Sequence, residues 1–167
     1  MIPVADVRIA LIGFGEVGCI LGRALRERGV SSLHAYDLLL DDPARAAKLG
    51  ERIRAEGIVA ASSAADAARD ADLVISAVTA SQAGAAAKAA APGLANRSLY
   101  VDVNSAPPGA KQECAAIVHA AGGRYVEMAV MTAIPPKGIA TPMLSGGPHA
   151  ADAAPLLAAL GFRAEVA

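Results

Sequence analysis

Gly13, Gly15 and Gly18 constrain this chain more than any other feature, because of what stands on either side of them. Ahead lies Ile9-Ala10-Leu11-Ile12, an apolar run of the kind a strand buried on both faces requires. Behind them, Val17, Ile20, Leu21, Ala24 and Leu25 recur at helix-face spacing. Strand, glycine turn and helix start occur in that order, which makes the G-x-G-x-x-G spacing informative. Gly13 permits a turn too tight for a side chain, Gly15 lets the backbone approach a pyrophosphate, and Gly18 lets the helix pack closely. N–H groups left free at the helix start, together with the helix dipole, form a phosphate site. Gly13, Phe14, Gly15, Glu16, Val17 and Gly18 are therefore the expected cofactor-binding turn. Gly22 keeps the same helix face small where it crosses the sheet.

The rest of the chain alternates between strand and helix with no linker to divide it. Strands are expected over 33–36, 58–60, 73–78, 99–103, 124–130, 143–145 and 163–166. Between them, Asp42-Pro43 opens a helix that Gly57 ends, and Ser63 to Asp66 reads as a capping box with Asp in place of Glu. Ser81 reads as the cap of an alanine-rich helix, Pro107-Pro108 opens another, and 150–160 is the last. Such alternation predicts an α/β fold: a Rossmann-type, doubly wound, mostly parallel sheet with helices on both faces. Residues 1–167 form a single dinucleotide-binding domain in this reading.

Composition narrows the partners. A net charge of −1 gives no broad attraction to nucleic acid or to an anionic membrane. Aromatic residues are 3%, too few for base-stacking platforms. No apolar run reaches transmembrane length, and the first residues lack the basic and apolar segments of a signal peptide. Cys19 and Cys114 have no ligand-like neighbours and read as buried thiols in a reducing compartment, so a cytoplasmic location is expected. His34, His119 and His149 stand apart in sequence and read as structural, with no metal site among them.

In a doubly wound sheet, ligands bind beyond the carboxyl ends of the strands. Asp37 lies there, 19 residues after Gly18. A carboxylate at that place accepts hydrogen bonds from adenosine ribose hydroxyls and repels a 2′-phosphate, which favours NAD. Leu38 follows it, where an NADP site would place Arg; Arg45, on the next helix, leaves NADP open. Val78 and Thr79, after the next long strand, are expected to run beside the cofactor. Asn104 and Ser105 offer polar groups near the nicotinamide, with turn formation before Pro107 as the competing role. Asp102, inside an apolar strand, is read as fixing that loop.

Four segments in sequence carry a family resemblance. Gly13-Phe14-Gly15-Glu16-Val17-Gly18, Ile75-Ser76-Ala77-Val78-Thr79, Tyr100-Val101-Asp102-Val103-Asn104-Ser105 and Gly123-Arg124-Tyr125-Val126-Glu127 together resemble the N-terminal cofactor domain of the β-hydroxyacid dehydrogenases. That family includes 6-phosphogluconate and 3-hydroxyisobutyrate dehydrogenases. The resemblance implies hydride transfer between a nicotinamide cofactor and a small hydroxy acid. It places Val78, Thr79 and Ser105 at the cofactor, and Asn104 and Ser105 toward the substrate. Where the family has Ser-Gly-Gly for the substrate carboxylate, this chain has Met131-Thr132-Ala133; Thr132 supplies one hydroxyl. Lys137 reads either as an anion-binding loop residue or as a solvated one. The family's general acid/base is a Lys of a separate C-terminal helical domain, absent from these 167 residues, so no catalytic residue is assigned. The second reading is then a stand-alone NAD(P)-binding module without turnover. The apolar side that would face the missing domain predicts self-association.

Overall fold

The computed structural model describes residues 2–95 and 97–167. The chain forms one eight-stranded sheet. β1 (Arg8–Ile12) leads through the glycine turn into α1 (Glu16–Glu27), and β2 (Ser32–Tyr36) into a short 3-10 turn and α2 (Ala46–Ala55). β3 (Val59–Ala60), α3 (Ala64–Ala68), β4 (Leu73–Ser76), α4 (Ala83–Ala90), β5 (Leu99–Asp102) and α5 (Pro108–Ala120) continue the alternation. β6 (Arg124–Val130), β7 (Pro142–Gly146), α6 (Ala150–Ala159) and β8 (Arg163–Val166) complete it. The spatial order is β3-β2-β1-β4-β5-β6-β7-β8. β1 to β6 run parallel; β7 is antiparallel to β6, and β8 is parallel to β7. The reversal of order beside β1 opens a crevice between the ends of β1 and β4, the place where dinucleotides bind in this architecture.

Strand alternation splits the core into two layers. Ile9, Leu11, Leu73, Ile75, Leu99 and Val101 face one side and pack against Leu21 and Leu25 of α1, Ile53 of α2 and Leu157 of α6. Ala10, Ile12, Val74 and Tyr100 face the other and meet α3, α4 and α5. On that second side the helices contribute mostly alanines, among them Ala64, Ala67, Ala68, Ala83, Ala87 and Ala90. Short side chains let those helices lie close on the sheet, and the chain's alanine content is concentrated there for that reason. No helix among the described residues is long and apolar enough to cross a membrane.

Several boundaries differ from the sequence expectation. α2 begins at Ala46; Asp42 Oδ1 instead accepts from Ala44 N–H (2.9 Å), and that local turn delays the helix. Ser81 does not cap α4, because it lies inside a 3-10 turn, Ala80–Gln82, and Gln82 occupies the cap position. The capping arrangement at α3 is displaced by one residue. Ser63 Oγ accepts from Asp66 N–H (3.0 Å), but Asp66 Oδ2 accepts from the N–H of Ser62 (3.1 Å). Cys114 is buried as expected, whereas Cys19 is half-buried beside Arg23.

Two of the histidines make a contact that their places in the sequence do not reveal. His119, at the end of α5, and His149, at the start of α6, meet edge to face with ring centroids 5.4 Å apart. Burial, then His119, Arg124 and Arg97, hold the His149 imidazole below its ordinary value of 6.5, with Asp152 opposing. A base whose folded pKa is lowered takes up protons more readily when unfolded, so stability is complete above pH 6.5 and falls as pH drops below that value. Replacing His149 by Gln is therefore expected to flatten the decline. Urea denaturation of both proteins at neutral pH and below pH 6.5 checks it; parallel declines would rule this linkage out.

Candidate functional site

The glycine turn is built from backbone contacts that leave no room for side chains. Gly13 adopts φ +98°, its N–H donates to Tyr36 O (2.8 Å), and a Cβ there would lie 2.2 Å from Ala77 O. A Cβ at Gly18 would lie 2.2 Å from Gly13 O. Gly15 is different: a Cβ there would meet nothing within 4 Å. Its open side faces the crevice. The first bond of α1 runs from Cys19 N–H to Gly15 O (3.0 Å), and the Gly15 cap has no side chain to offer. The N–H groups of Gly15, Glu16, Val17 and Gly18 therefore have no acceptor among the described residues. They form the positive end of the helix dipole. Phe14 lies on the other side of the turn: its ring is 1% exposed, in the core, and its N–H donates to Asp37 Oδ2 (2.8 Å).

Asp37 thus ties the end of β2 to the glycine turn. Its second oxygen accepts from Leu39 N–H (2.9 Å) and opens the 3-10 turn Leu38–Asp41. Beside it, Tyr36 donates its hydroxyl to Asp41, and burial followed by that hydrogen bond pushes the phenol up to about 12. A cavity of about 410 Å³ opens here. Gly13, Gly15, Glu16 and Val17 form one side, Tyr36, Asp37 and Leu38 one end, and Ala85, Ala86 and Ala89 of α4 the wall opposite. No Lys or Arg lines it among the described residues. Arg45 stays outside, exposed and 3.7 Å from Asp42.

Thr79 lines this cavity alone, whereas Val78 lies between it and a second one of about 280 Å³. Val17, Ala77 and Val78 line both, so the two are halves of one groove along the strand ends. Asn104, Ser105, Val103, Val130 and Ile134 line the second half. Ser105 is exposed there with no hydrogen-bond partner among the described residues. Thr132 and Lys137 are exposed on the loop after β6 and line neither cavity. That loop folds back on itself through Thr141, whose hydroxyl donates to Gly138 O (2.6 Å) and Ile134 O (3.0 Å).

Asn104 is 4% exposed and its amide is engaged on both sides. Oδ1 accepts from Val78 N–H (2.7 Å), and Nδ2 donates to Ser76 Oγ (3.0 Å). Asp102 holds it in turn: Oδ1 accepts from Asn104 N–H (2.9 Å) and Oδ2 from the Tyr125 hydroxyl (2.7 Å). Burial and then the hydrogen bond to Asp102 raise the Tyr125 phenol far above its ordinary value, so it stays a donor. This relay joins β6, β5 and β4 and fixes the partition between the cavities. Sequence reasoning anticipated that Asp102 fixes the loop but missed the clamp on Val78, since nothing local in Asn104-Ser105 identifies a partner 26 residues away. It also missed the alanine wall of α4, because a helix that is alanine on most faces shows no periodicity. No group of three or more His, Cys, Asp or Glu among the described residues could hold a metal ion.

Comparison with known proteins gives a consistent set of likenesses. Residues 8–166 match the family described as the NAD binding domain of 6-phosphogluconate dehydrogenase. A conserved hypothetical protein from Sinorhizobium meliloti 1021 is 34% identical, with a TM-score of 0.88, over 96% of this chain and 54% of that one. A conserved protein whose structure is described as similar to 3-hydroxyacid dehydrogenases is 30% identical, with a TM-score of 0.78, over 96% and 57%. A 3-hydroxyisobutyrate dehydrogenase from Mycobacterium tuberculosis, solved with L-serine, shares the fold at 21% identity and a TM-score of 0.80, over 96% and 54%. The chain spans about half the length of these solved structures. No curated protein matches it.

Replacing Asn104 by Ala leaves the Val78 N–H and the Ser76 hydroxyl without their partner. The expected loss is about 1–3 kcal/mol of unfolding free energy. Ser105→Ala removes an exposed hydroxyl and should stay within about 0.5 kcal/mol of the parent. Urea titration followed by circular dichroism separates the two, and equal midpoints would dismiss the clamp.

Proposed function

The chain belongs to the family of the NAD binding domain of 6-phosphogluconate dehydrogenase, and from that premise we propose that it is the cofactor-holding domain of an oxidoreductase acting on a small hydroxy acid, with NAD as the preferred cofactor. The observation that carries this reading is the run of unpartnered N–H groups at Gly15, Glu16 and Val17, opening onto a groove with a carboxylate at one end. Those donors, with the helix dipole behind them, suit a pyrophosphate. Asp37 uses one lone pair of each oxygen on the protein and keeps acceptor capacity for ribose hydroxyls. Its charge, and a cavity lined by no cation among the described residues, disfavour a 2′-phosphate.

The second cavity suits a nicotinamide ring between Val17, Val78 and Ile134. Bound there, the cofactor supplies the hydride chemistry. The chain's own part is positioning: the Asn104 relay fixes Val78 against the ring, and Ser105 presents a hydroxyl to the cofactor and to the substrate hydroxyl or carbonyl. Thr132 and Lys137 stand outside both cavities on the exposed loop after β6, where Lys137 suits the anion of an acid that extends beyond the second cavity. No titratable side chain lines the second cavity among the described residues. A general acid/base has to reach that cavity from residues that do not line it. The second reading follows from the same observation: these 167 residues bind the cofactor and do not turn over.

Gly15→Val tests the cofactor reading while sparing the fold, since a Cβ there meets no protein atom within 4 Å and the backbone is extended. The variant should melt like the parent and bind NADH at least about tenfold more weakly, a loss of about 1.4 kcal/mol. Undiminished NADH binding would reject the placement. By fluorescence titration the parent should prefer NADH to NADPH, and Asp37→Asn should narrow that preference while keeping Oδ1 as an acceptor; a parent that prefers NADPH contradicts the role given to Asp37. Steady oxidation of a hydroxy acid by this chain would reject the reading without turnover.

A further inference from the structure

β8 (Arg163–Val166) is the last strand of the sheet, with β7 on one side and no strand on the other among the described residues. Ala167 N–H donates to Ser145 O (2.8 Å) on β7. Ladder bonds recur at every second residue, so Arg163 and Glu165 also turn their backbone groups to β7. Ala164 and Val166 then turn N–H and C=O to the open edge. Such an edge is a template for another strand unless its side chains prevent pairing. Arg163 and Glu165 are exposed and, two residues apart, project from one face of the sheet. Leu144, 36% exposed, stands on the same face opposite Glu165.

We propose that β8 pairs antiparallel with β8 of a second copy of this chain, about a two-fold axis at Ala164. In that register Arg163 lies opposite Glu165 of the other copy, and the symmetric pair repeats the contact. The sequence discriminates among registers that keep the edge-facing residues opposite one another. Moving the axis to Glu165 sets like carboxylates together, and moving it to Arg163 sets like guanidinium groups together; directly opposed like charges destabilise a strand pair. Only the Ala164 axis joins each charge to its opposite. The backbone accommodates it: the two Ala164 residues exchange N–H···O bonds, and Val166 N–H reaches the carbonyl of Phe162, whose own N–H is already given to Leu157 O (3.0 Å). The same patch serves both copies, as a closed two-fold interface requires. Its contact area is far below that of a standard stable interface, so association is weak and concentration-dependent.

Sedimentation velocity over concentrations reaching the sub-millimolar range tests this on the chain itself. The average mass should rise toward twice that of the monomer, less so at high salt. Arg163→Glu alone and Glu165→Arg alone should each abolish the rise. Mixing those two single variants, or combining both substitutions in one chain, should restore it, because opposite charges again face each other. Circular dichroism on each variant, and the restored pairing, separate loss of the contact from misfolding. A parent that stays monomeric overturns the proposal. Single variants that associate like the parent also overturn it and move the contact to the apolar side of the groove.

Discussion

Three stretches of backbone meet at Gly13 with no side chain between them. The carbonyl of Ala77 and the first turn of α1 both close on that residue, at distances that exclude even a methyl group. This contact sets the separation of β1 and β4 at their carboxyl ends. It therefore sets the width of the crevice and the height at which the start of α1 faces it. Asp37 adds the third constraint by holding Phe14 N–H, so the end of β2 moves with the turn. Phe14, driven into the core below, anchors the turn from inside. The floor of the groove is fixed by sterics and by one bridging carboxylate before any ligand contributes.

How much of this could be read from residues alone depended on the range of the interaction. The glycine turn was legible because each requirement is local: a positive φ at Gly13 and a close approach at Gly18 leave a direct mark on residue choice. The alternation of buried runs with helices led to the right fold class for a similar reason, since the period of a strand differs from that of a helix. Asp37 was placed correctly at the end of β2, but its grip on the glycine turn was not foreseen. The Tyr125–Asp102–Asn104 relay was beyond reach because its members lie on three elements and meet only in the folded sheet. The pairing of His119 with His149 escaped for the same reason: isolation in sequence says nothing about the approach of two helix ends.

The two halves of the groove differ in how they are held. Around the first, the chain offers backbone donors on one side and the short side chains of α4 on the other. Around the second, the wall is a hydrogen-bonded assembly, and Val78 is only as well placed as Asn104 and Asp102 keep it. Both amide atoms of Asn104 are in use, so its contribution to the site runs through the partition it supports. Ser105, the next residue along the backbone from that anchor, inherits a defined position while its hydroxyl stays open.

The alanine wall of α4 has an implication for how this groove can change. Ala85, Ala86 and Ala89 define the cavity by the atoms they lack. Enlarging Ala85 or Ala89, both exposed, would add contacts to a surface helix and leave the core beneath untouched. The space for a ligand would shrink all the same. Recognition here is recorded as negative volume, on residues that folding barely constrains. Drift at those two positions could therefore erase binding silently, in a protein that still folds, melts and sediments as before.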